Sequence, residues 1–154
     1  MIRIIPYSKS HHAIFKKLNL EWLDKYGLTE SHDLEVLDDP HGTIINRGGV
    51  ILLAENDGEI IGSGALMQEG NGVYELAKMA VTPPMQGKGI SRLLMNALME
   101  AAKEKKAAKL TLFSNHQLQT ALSLYEKYGF RHVKVEDSPF VTADVKMELN
   151  LQEQ

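Results

Sequence analysis

The sequence contains no cysteine, and this absence removes several kinds of chemistry at once. Without a thiol, the chain has no disulfide, no thiolate metal ligand and no cysteine nucleophile. A chain without cysteine is also consistent with a reducing cytosol. Any covalent or redox role must therefore come from other side chains.

Neither sign of charge dominates the sequence, and long hydrophobic runs are missing. Lys and Arg number 17 against 20 Asp and Glu, so no basic field is available for nucleic acid. No apolar stretch approaches the roughly 18 residues of a membrane span, and the apolar run in MIRIIPYSKSHH is too short for a signal peptide. We therefore expect a soluble, cytoplasmic protein that binds neither nucleic acid nor membrane.

The histidines show no spacing typical of a metal site. Zinc sites on helices use patterns such as HxxxH or HExxH, which place two imidazoles on one face. Neither pattern occurs among the six histidines, which are His11, His12, His32, His41, His116 and His132. We therefore expect no metal.

Periodicity and turn residues predict an α/β (α+β) fold in a single domain over residues 1–154, which contain no repeat or linker. NDG between GVILLAE and EIIGSGALMQ predicts a hairpin, and EGNG leads into VYELAKMAV as a third antiparallel strand. Helical spacing predicts helices over 9–26, Ser31–Leu37, 90 to about 106, and around Leu118–Tyr125. Further strands are expected at IRII, LTLF, FRHVKVE and FVTADVKMEL. The result is a mixed sheet with helices on its faces.

The stretch VTPPMQGKGISRLL, residues 81–94, has the composition of an anion-binding loop. Two prolines end the preceding strand, and Gly87 and Gly89 allow backbone N–H groups to turn inward at the start of a helix. The helix dipole adds positive potential there, which suits a phosphate. The Walker spacing is missing, and Arg92 stands where a Rossmann loop needs glycine. These features leave an anion site and a plain strand-to-helix turn both open.

Three motifs together resemble the GNAT superfamily of acyl-CoA-dependent N-acyltransferases. The loop from Gln86 to Ser91 resembles that family's Q/R-x-x-G-x-G/A pattern, with Ser91 departing at the last position. ELAKMAV resembles the family's fourth strand, and SNHQLQTALSLYEKYGF resembles its Asn-containing strand end and LYxxxGF helix end. The resemblance covers nearly the whole chain. It implies a mostly antiparallel seven-stranded sheet with about four helices, splayed between strands 4 and 5.

The resemblance also implies acetyl-CoA, or a close acyl-CoA, as the co-substrate bound in that splay. Backbone groups of three residues would pair with the pantetheine arm: Met79, Ala80 and Val81. The pyrophosphate would lie against the loop, with Arg92 as a nearby cation: Gln86, Gly87, Lys88, Gly89, Ile90 and Ser91. Asn115 is interpreted either as a hydrogen-bonding residue of the cofactor cleft or as a turn residue capping the next helix.

Glu75 is the candidate general base. Acyl transfer needs a neutral amine. An alkyl amine, whose conjugate acid has a pKa of about 10.4, is mostly protonated at pH 7, so a base is useful. Strand alternation predicts that Glu75 shares one face with Ala77, Met79 and Val81. The resemblance implies a catalytic glutamate at the matching place in the histone-acetyltransferase branch. The alternatives are an ordinary strand carboxylate, or ordered water as the base.

Tyr125 in SLYEKYGF is the candidate general acid. The resemblance implies this role, because a tyrosine at the matching position donates a proton to the leaving thiolate in many members. A phenol with an ordinary pKa of about 10 is protonated at pH 7, as a proton donor must be. Tyr125 also lies on the apolar stripe of its helix, so a packing role is compatible with the catalytic one.

The resemblance implies an N-acetyltransferase that moves an acetyl group directly to a primary amine in a ternary complex. No covalent acyl-enzyme is expected, because no serine has a visible base partner. Two alternatives stay open: an acyl-CoA-binding sensor without turnover, and a nucleotide-phosphate site on an unrelated α/β fold. The resemblance implies that the acceptor, a small-molecule or peptide amine, is bound largely by residues 20–48, where Glu21 and Tyr26 are candidate contacts. A homodimer is possible, since dimers are common in the family.

Overall fold

The computed structural model describes residues 1–151, which form one seven-stranded sheet with helices on both faces. The strands are β1 Ile2–Pro6, β2 Val50–Asn56, β3 Glu59–Gly70, β4 Val73–Val81, β5 Lys109–Ser114, β6 Arg131–Val133 and β7 Val145–Asn150. The α-helices of this part of the chain are α1 His12–Lys25, α2 Ser31–Asp38, α3 Pro40–Thr43, α4 Ile90–Glu104 and α5 Gln119–Lys127. Short 3-10 helices cover Lys9–His11, Ile45–Arg47 and Pro83–Met85.

The sheet is antiparallel except at one central pair. The strand order is β1-β2-β3-β4-β5-β7-β6, and only β4 and β5 run parallel. Their pairing covers three positions, from Val73 opposite Lys109 to Glu75 opposite Thr111, and then stops. Beyond Glu75 the two strands separate. The predicted mixed sheet, splayed between strands 4 and 5, is confirmed.

Local sequence signals account for the three-strand meander. Asp57 and Gly58 of the NDG turn have φ values of 50° and 87°, as a tight two-residue hairpin turn requires. Helix α4 then packs across β3 through Leu98, and Gly64 makes this approach possible. A Cβ atom at Gly64 would lie 2.7 Å from a Leu98 methyl carbon, so a larger residue would push the helix away.

The two faces of the sheet are covered by different helices. On one face, Leu94 and Leu98 of α4 are fully buried against β3 and β4. On the other face, Phe15 of α1 and Leu37 of α2 are buried in one cluster with Leu53 and Ala65. Each fully buried side chain of this size contributes about 1.5–3 kcal/mol relative to exposure. The helices therefore hold β4 firmly between two apolar layers.

The final two strands are shorter than the sequence predicts. The patterns FRHVKVE and FVTADVKMEL predict strands over residues 130–136 and 140–149, but β6 covers only 131–133 and β7 begins at Val145. The physical reason lies in residues 141–142, whose backbone N–H groups donate to the carboxylate of Glu30 instead of to a strand. Phe140 extends the apolar alternation without belonging to the sheet.

Candidate active site

Strand β4 contains a bulge at Lys78, and this bulge decides where the candidate residues point. Ser63 lies opposite Ala80 and Ala65 lies opposite Ala77, so β4 holds one more residue than β3 in this interval. The extra residue is Lys78, which has a φ of 56°. A bulge of this kind resets the alternation of side chains between the two faces.

The predicted shared face of Glu75, Ala77, Met79 and Val81 is therefore wrong. Met79 lies on the α4 face, where its sulfur is 2.6 Å from the Cβ position of Gly64. Glu75 lies opposite Met67, which packs on the other face of the sheet with Phe15 and Leu37. Strict alternation fails because Lys78 adds one residue between Glu75 and Met79.

Buried polar groups of α1 and β3 hold the bulge in place. The Ser63 hydroxyl donates to the carbonyl oxygen of Lys78 at 2.7 Å, and the Asn19 amide donates to Ser63 Oγ at 3.1 Å. Asn19 also donates to the carbonyl of Phe15 at 3.0 Å. Both polar side chains are buried, so these bonds satisfy groups that water cannot reach.

A buried ion pair lies beside the bulge. The Lys78 ammonium is 2.8 Å from Asp33 of α2, and the two side chains are only 5% and 4% exposed. Asp33 also accepts the backbone N–H of Glu30, and the Lys78 ammonium lies 5.6 Å from the ring centre of Phe140. A buried charge that loses its partner is costly, which commits Lys78 and Asp33 to each other.

Glu75 lies next to this pair and is adapted to exchange a proton near neutral pH. The residue is 7% exposed. Burial, together with the negative charges of Glu69 and Asp33, raises the pKa of Glu75 to about 7, against the opposing effect of Lys78. A carboxyl with this pKa is a suitable general base at physiological pH.

Tyr125 belongs to α5, the helix that follows β5. Its ring is buried beside Phe130, with the ring centres 6.0 Å apart. Burial raises the pKa of Tyr125 to about 12, so the phenol is protonated at neutral pH. Its hydroxyl makes no hydrogen bond within residues 1–151, which leaves it available to a ligand.

Glu75 and Tyr125 both line a single cleft of about 770 Å³ between β4 and β5. The splay of these two strands creates the cleft, and the loop before α4 closes one end of it. The arrangement can therefore hold a base and a hydrogen-bond donor around one ligand.

The loop before α4 lines one end of this cleft. Gly87 and Gly89 have φ values of 78° and 81°, a backbone conformation that glycine adopts without strain. The Gln86 side chain donates to the carbonyl of Val81 at 3.0 Å and braces the turn from within. The first N–H groups of α4 have no intrahelical acceptor and carry the positive end of the helix dipole. These groups suit a phosphate.

Most of the residues expected to bind the cofactor line the cleft. They are Met79, Ala80, Val81, Gln86, Gly87, Gly89, Ile90, Ser91, Arg92 and Asn115. Lys88 is exposed and lies outside the lining. The Asn115 amide donates to the carbonyl of Thr142 at 2.8 Å and accepts from the N–H of Gln117 at 3.0 Å, so it also orders the turn before α5. The helix itself begins after Leu118, which occupies the capping position.

The two candidate acceptor contacts have different positions. Tyr26 lines the cleft, with its ring 5.6 Å from that of Trp22. Glu21 is exposed on α1 beside a shallow surface depression and is not brought to the cleft.

Sequence reasoning missed several residues that shape the site. They are Asn19, Asp33, Ser63, Lys78 and Phe140. A serine between glycines in an apolar strand, and an asparagine on the apolar side of α1, were available signals. The pairing of Lys78 with Asp33, 45 residues away, had none.

Two classes of feature are missing from the described part of the chain. Residues 1–151 contain no group of three or more potential ligands placed to hold a metal ion. None of the helices within them is both long enough and apolar enough to span a bilayer.

Comparison with known proteins identifies the class to which this fold and cleft belong. A family model described as "Acetyltransferase (GNAT) domain" matches residues 47–132, more than half of the chain. The chain belongs to the GNAT family of acetyltransferases. The resemblance inferred from the loop and its neighbouring motifs is confirmed.

Individual relatives agree with this assignment. The chain is 31% identical over 116 residues to the uncharacterized N-acetyltransferase YjgM of Escherichia coli (strain K12), covering 71% of this chain and 70% of that protein. Its fold is similar to that of a GNAT-family acetyltransferase from Staphylococcus aureus Mu50, with a TM-score of 0.91, 23% identity and coverage of 99% and 100%. It is also similar to YncA from Salmonella typhimurium with its cofactor acetyl-CoA, with a TM-score of 0.79, 20% identity and coverage of 100% and 96%. At these identities the two structures show the fold.

Proposed function

We propose that this chain is an acyl-CoA-dependent N-acetyltransferase, of EC 2.3.1 type, that acetylates a primary amine by direct transfer in a ternary complex. The observation that carries this proposal is that Glu75, with a pKa of about 7, and the Tyr125 hydroxyl line the same cleft. Acetyl-CoA supplies the acyl group and a thiolate leaving group. The similar YncA structure, which contains acetyl-CoA, supports this choice of co-substrate.

The cleft fits such a co-substrate on its own chemistry. The open N–H groups at the start of α4 and the nearby Arg92 suit a pyrophosphate. The splayed edge of β4 at Met79, Ala80 and Val81 offers backbone groups to an extended amide-containing arm. Ser91, which departs from the family's pattern, lines the cleft and adds a hydroxyl donor.

Glu75 acts as the base in this proposal. The acceptor arrives as an ammonium, and the ionised carboxyl of Glu75 takes its proton to generate the neutral amine. Lys78 and Asp33 hold the surroundings of Glu75 rigid, because their ion pair is buried.

Tyr125 stabilises the departing thiolate. A phenol with a pKa of about 12 is a weaker acid than a thiol of ordinary pKa, about 8.5, so a hydrogen bond to the sulfur is favoured over complete proton transfer. A donor placed where charge develops lowers the barrier even without giving up its proton.

We further propose that the protein acts in the cytoplasm on a small-molecule or peptide amine and needs no metal, nucleic acid or membrane partner. It could do so as a homodimer. Size-exclusion chromatography with light scattering tests the dimer, and activity in the presence of EDTA tests the metal.

Thiol release from acetyl-CoA, measured with a panel of primary amines, tests the proposed function. Thermal shift with acetyl-CoA, ATP and NAD identifies the bound donor, because a ligand at about 100 times its Kd stabilises the fold by about 2.7 kcal/mol. Stabilisation by acetyl-CoA alone with amine-dependent thiol release is the expected result. Binding without release for any amine would favour an acyl-CoA sensor, and stabilisation by ATP or NAD alone would favour a nucleotide site.

A further inference from the structure

Three aromatic residues line the side of the cleft near α1 and α2, and together they are called the aromatic wall: Trp22 and Tyr26 at the end of α1, and Phe140 against His32 of α2. Trp22 and Tyr26 meet edge to face, with ring centres 5.6 Å apart, and the buried Leu28 also lines the cleft. Phe140 comes from the segment between β6 and β7 and lines the same cleft. Their rings give this side of the cleft apolar surface on which the body of a ligand can pack.

The position of Phe140 is fixed by its neighbours. The carboxylate of Glu30 accepts the backbone N–H groups of Val141 and Thr142, at 2.9 and 2.8 Å, and the Thr142 hydroxyl as well. The Phe140 ring packs edge to face on His32, with the ring centres 5.0 Å apart. These contacts hold Phe140 in place within the fold, so no ligand is needed to order it.

The charges on this side of the cleft suit an ammonium and disfavour a carboxylate. Asp33 and Lys78 line it as a buried pair whose charges offset each other, which leaves Glu75 as the carboxyl group without a paired cation in this part of the lining. Among residues 1–151, two further cations line the cleft, Arg92 and Lys127. Arg92 follows the loop before α4, and Lys127 precedes Tyr128, whose hydroxyl bonds to the carbonyl of Arg92.

We infer that the acceptor is a primary amine with an aromatic-sized apolar body and no carboxylate, its body against the aromatic wall and its ammonium at Glu75. The inference rests on the proposed function and deepens it. An amino acid of the same body would bring its carboxylate into this side of the cleft, where Lys78 is already paired with Asp33, and burying an unpaired charge is costly.

Matched pairs of acceptors test this inference with the intact protein. We expect kcat/KM for phenethylamine and tyramine to exceed that for phenylalanine and tyrosine by at least about 100-fold. Phenylalanine amide, which keeps the shape of the amino acid but lacks its charge, should lie within about 10-fold of phenethylamine. Spermidine, lysine and a short peptide with a free N-terminus complete the panel.

Variants at adjacent positions add a control for folding. Phe140→Ala should raise the KM for phenethylamine by about 10-fold or more while the KM for acetyl-CoA stays unchanged. Val141→Ala removes a side chain that is 95% exposed and should change neither KM. Equal KM values for phenethylamine in the two variants would overturn the aromatic wall as the binding surface.

The outcomes separate the inference from the proposed function. Thiol release that favours the amino acids, spermidine or the peptide would overturn the inference and leave the proposed function standing. Acetyl-CoA binding without release for any amine would overturn both. Release that favours phenethylamine and tyramine, with the expected response to Phe140→Ala, would support both.

Discussion

The hydroxyl of Ser63 donates a 2.7 Å hydrogen bond to the carbonyl oxygen of Lys78, the residue that interrupts the alternation of β4. Through this bond, β3 and α1 hold the strand in the conformation that separates Glu75 from Met79. The lysine side chain is fixed at its other end by Asp33. The bulge is thus held at both its backbone and its side chain.

Ser63→Ala should lower the free energy of unfolding by about 1–3 kcal/mol, because the Asn19 amide and the Lys78 carbonyl would lose a buried partner. It should also lower kcat, because the bulge orients the surroundings of Glu75. Urea denaturation and steady-state kinetics measure the two effects. Ser10→Ala, at an exposed position, is the matched control and should leave both unchanged. Equal stability of the two variants would contradict the role of Ser63.

Glu75→Gln should lower kcat by about 10²- to 10⁴-fold, the usual contribution of a general base. In the unmodified protein, kcat/KM should rise with pH through about 7, because only the ionised carboxyl of Glu75 can accept a proton. The substitution should abolish this limb of the pH profile. Glu100→Gln, at a side chain that is 70% exposed, should retain the full profile. If Glu75→Gln kept the same limb, ordered water or another group would be the base.

Glu75 should also make stability depend on pH in the opposite direction from an ordinary carboxyl. Its pKa rises from the usual 4.5 to about 7 in the folded state, so between these values the unfolded chain releases a proton that the folded chain keeps. Folding stability therefore falls as pH rises through this window, by up to about 3 kcal/mol at 1.36 kcal/mol per pKa unit. Above this pH window the Glu75 carboxyl is ionised in both the folded and the unfolded chain, so its contribution to stability no longer changes with pH.

Comparing Glu75→Gln with the unmodified protein separates the effect of Glu75 on stability from that of all other titrating groups. The free energy of unfolding of Glu75→Gln, relative to the unmodified protein, should increase between about pH 4 and about pH 8. Urea denaturation at a series of pH values measures the difference. A difference that stays constant with pH would show that the Glu75 carboxyl titrates alike in the folded and unfolded chain.

Tyr125→Phe should lower kcat by about 10- to 100-fold and leave the fold intact, because the hydroxyl makes no hydrogen bond within residues 1–151. Tyr128→Phe is the control with the opposite behaviour. The Tyr128 hydroxyl donates to Asn96 at 2.5 Å, so its loss should cost about 1 kcal/mol of stability without changing kcat. Thermal denaturation and steady-state kinetics distinguish the two. A kcat unchanged in Tyr125→Phe would leave this tyrosine a packing role only.

Gly89→Ala should weaken acetyl-CoA binding through the backbone. Gly89 has a φ of 81° and no atom within 4 Å of its Cβ position, so the added methyl strains the left-handed conformation and meets no neighbour. Gly58→Ala, in the β2–β3 hairpin, has the same properties at a φ of 87°. Both variants should lose about 1–2 kcal/mol of stability. Only Gly89→Ala should raise the KM for acetyl-CoA, and an equal KM in the two would argue against a cofactor role for the loop.

Signals between neighbouring residues predicted the fold well. The hairpin at Asp57 and Gly58 and the proline-terminated end of β4 follow from turn chemistry within a few positions. The orientation of Met79 could not be predicted in this way, because the bulge depends on Ser63 and Asn19, which lie far away in the sequence. Tertiary contacts override strand alternation there.

In the candidate site, too, local motifs predicted some positions, whereas others depend on residues far away in the sequence. Glu75, Tyr125 and the glycines of the loop carry motifs that single out their positions, and the structure brings them to one cleft. Phe140 was expected within a strand, because its apolar alternation continues into β7. Its actual place depends on hydrogen bonds between Glu30 and residues 141–142, which no local pattern indicates.

The short parallel pairing of β4 with β5 has a consequence for how the chain avoids unwanted association. An unpaired strand edge is a template on which another chain can add a strand and begin to aggregate. Here the open edge of β4 lies between Glu75 and Val81, inside a cleft walled by β5 and α5. The fold thus keeps this unpaired stretch of backbone inside a cleft, where a narrow, extended ligand can pair with it.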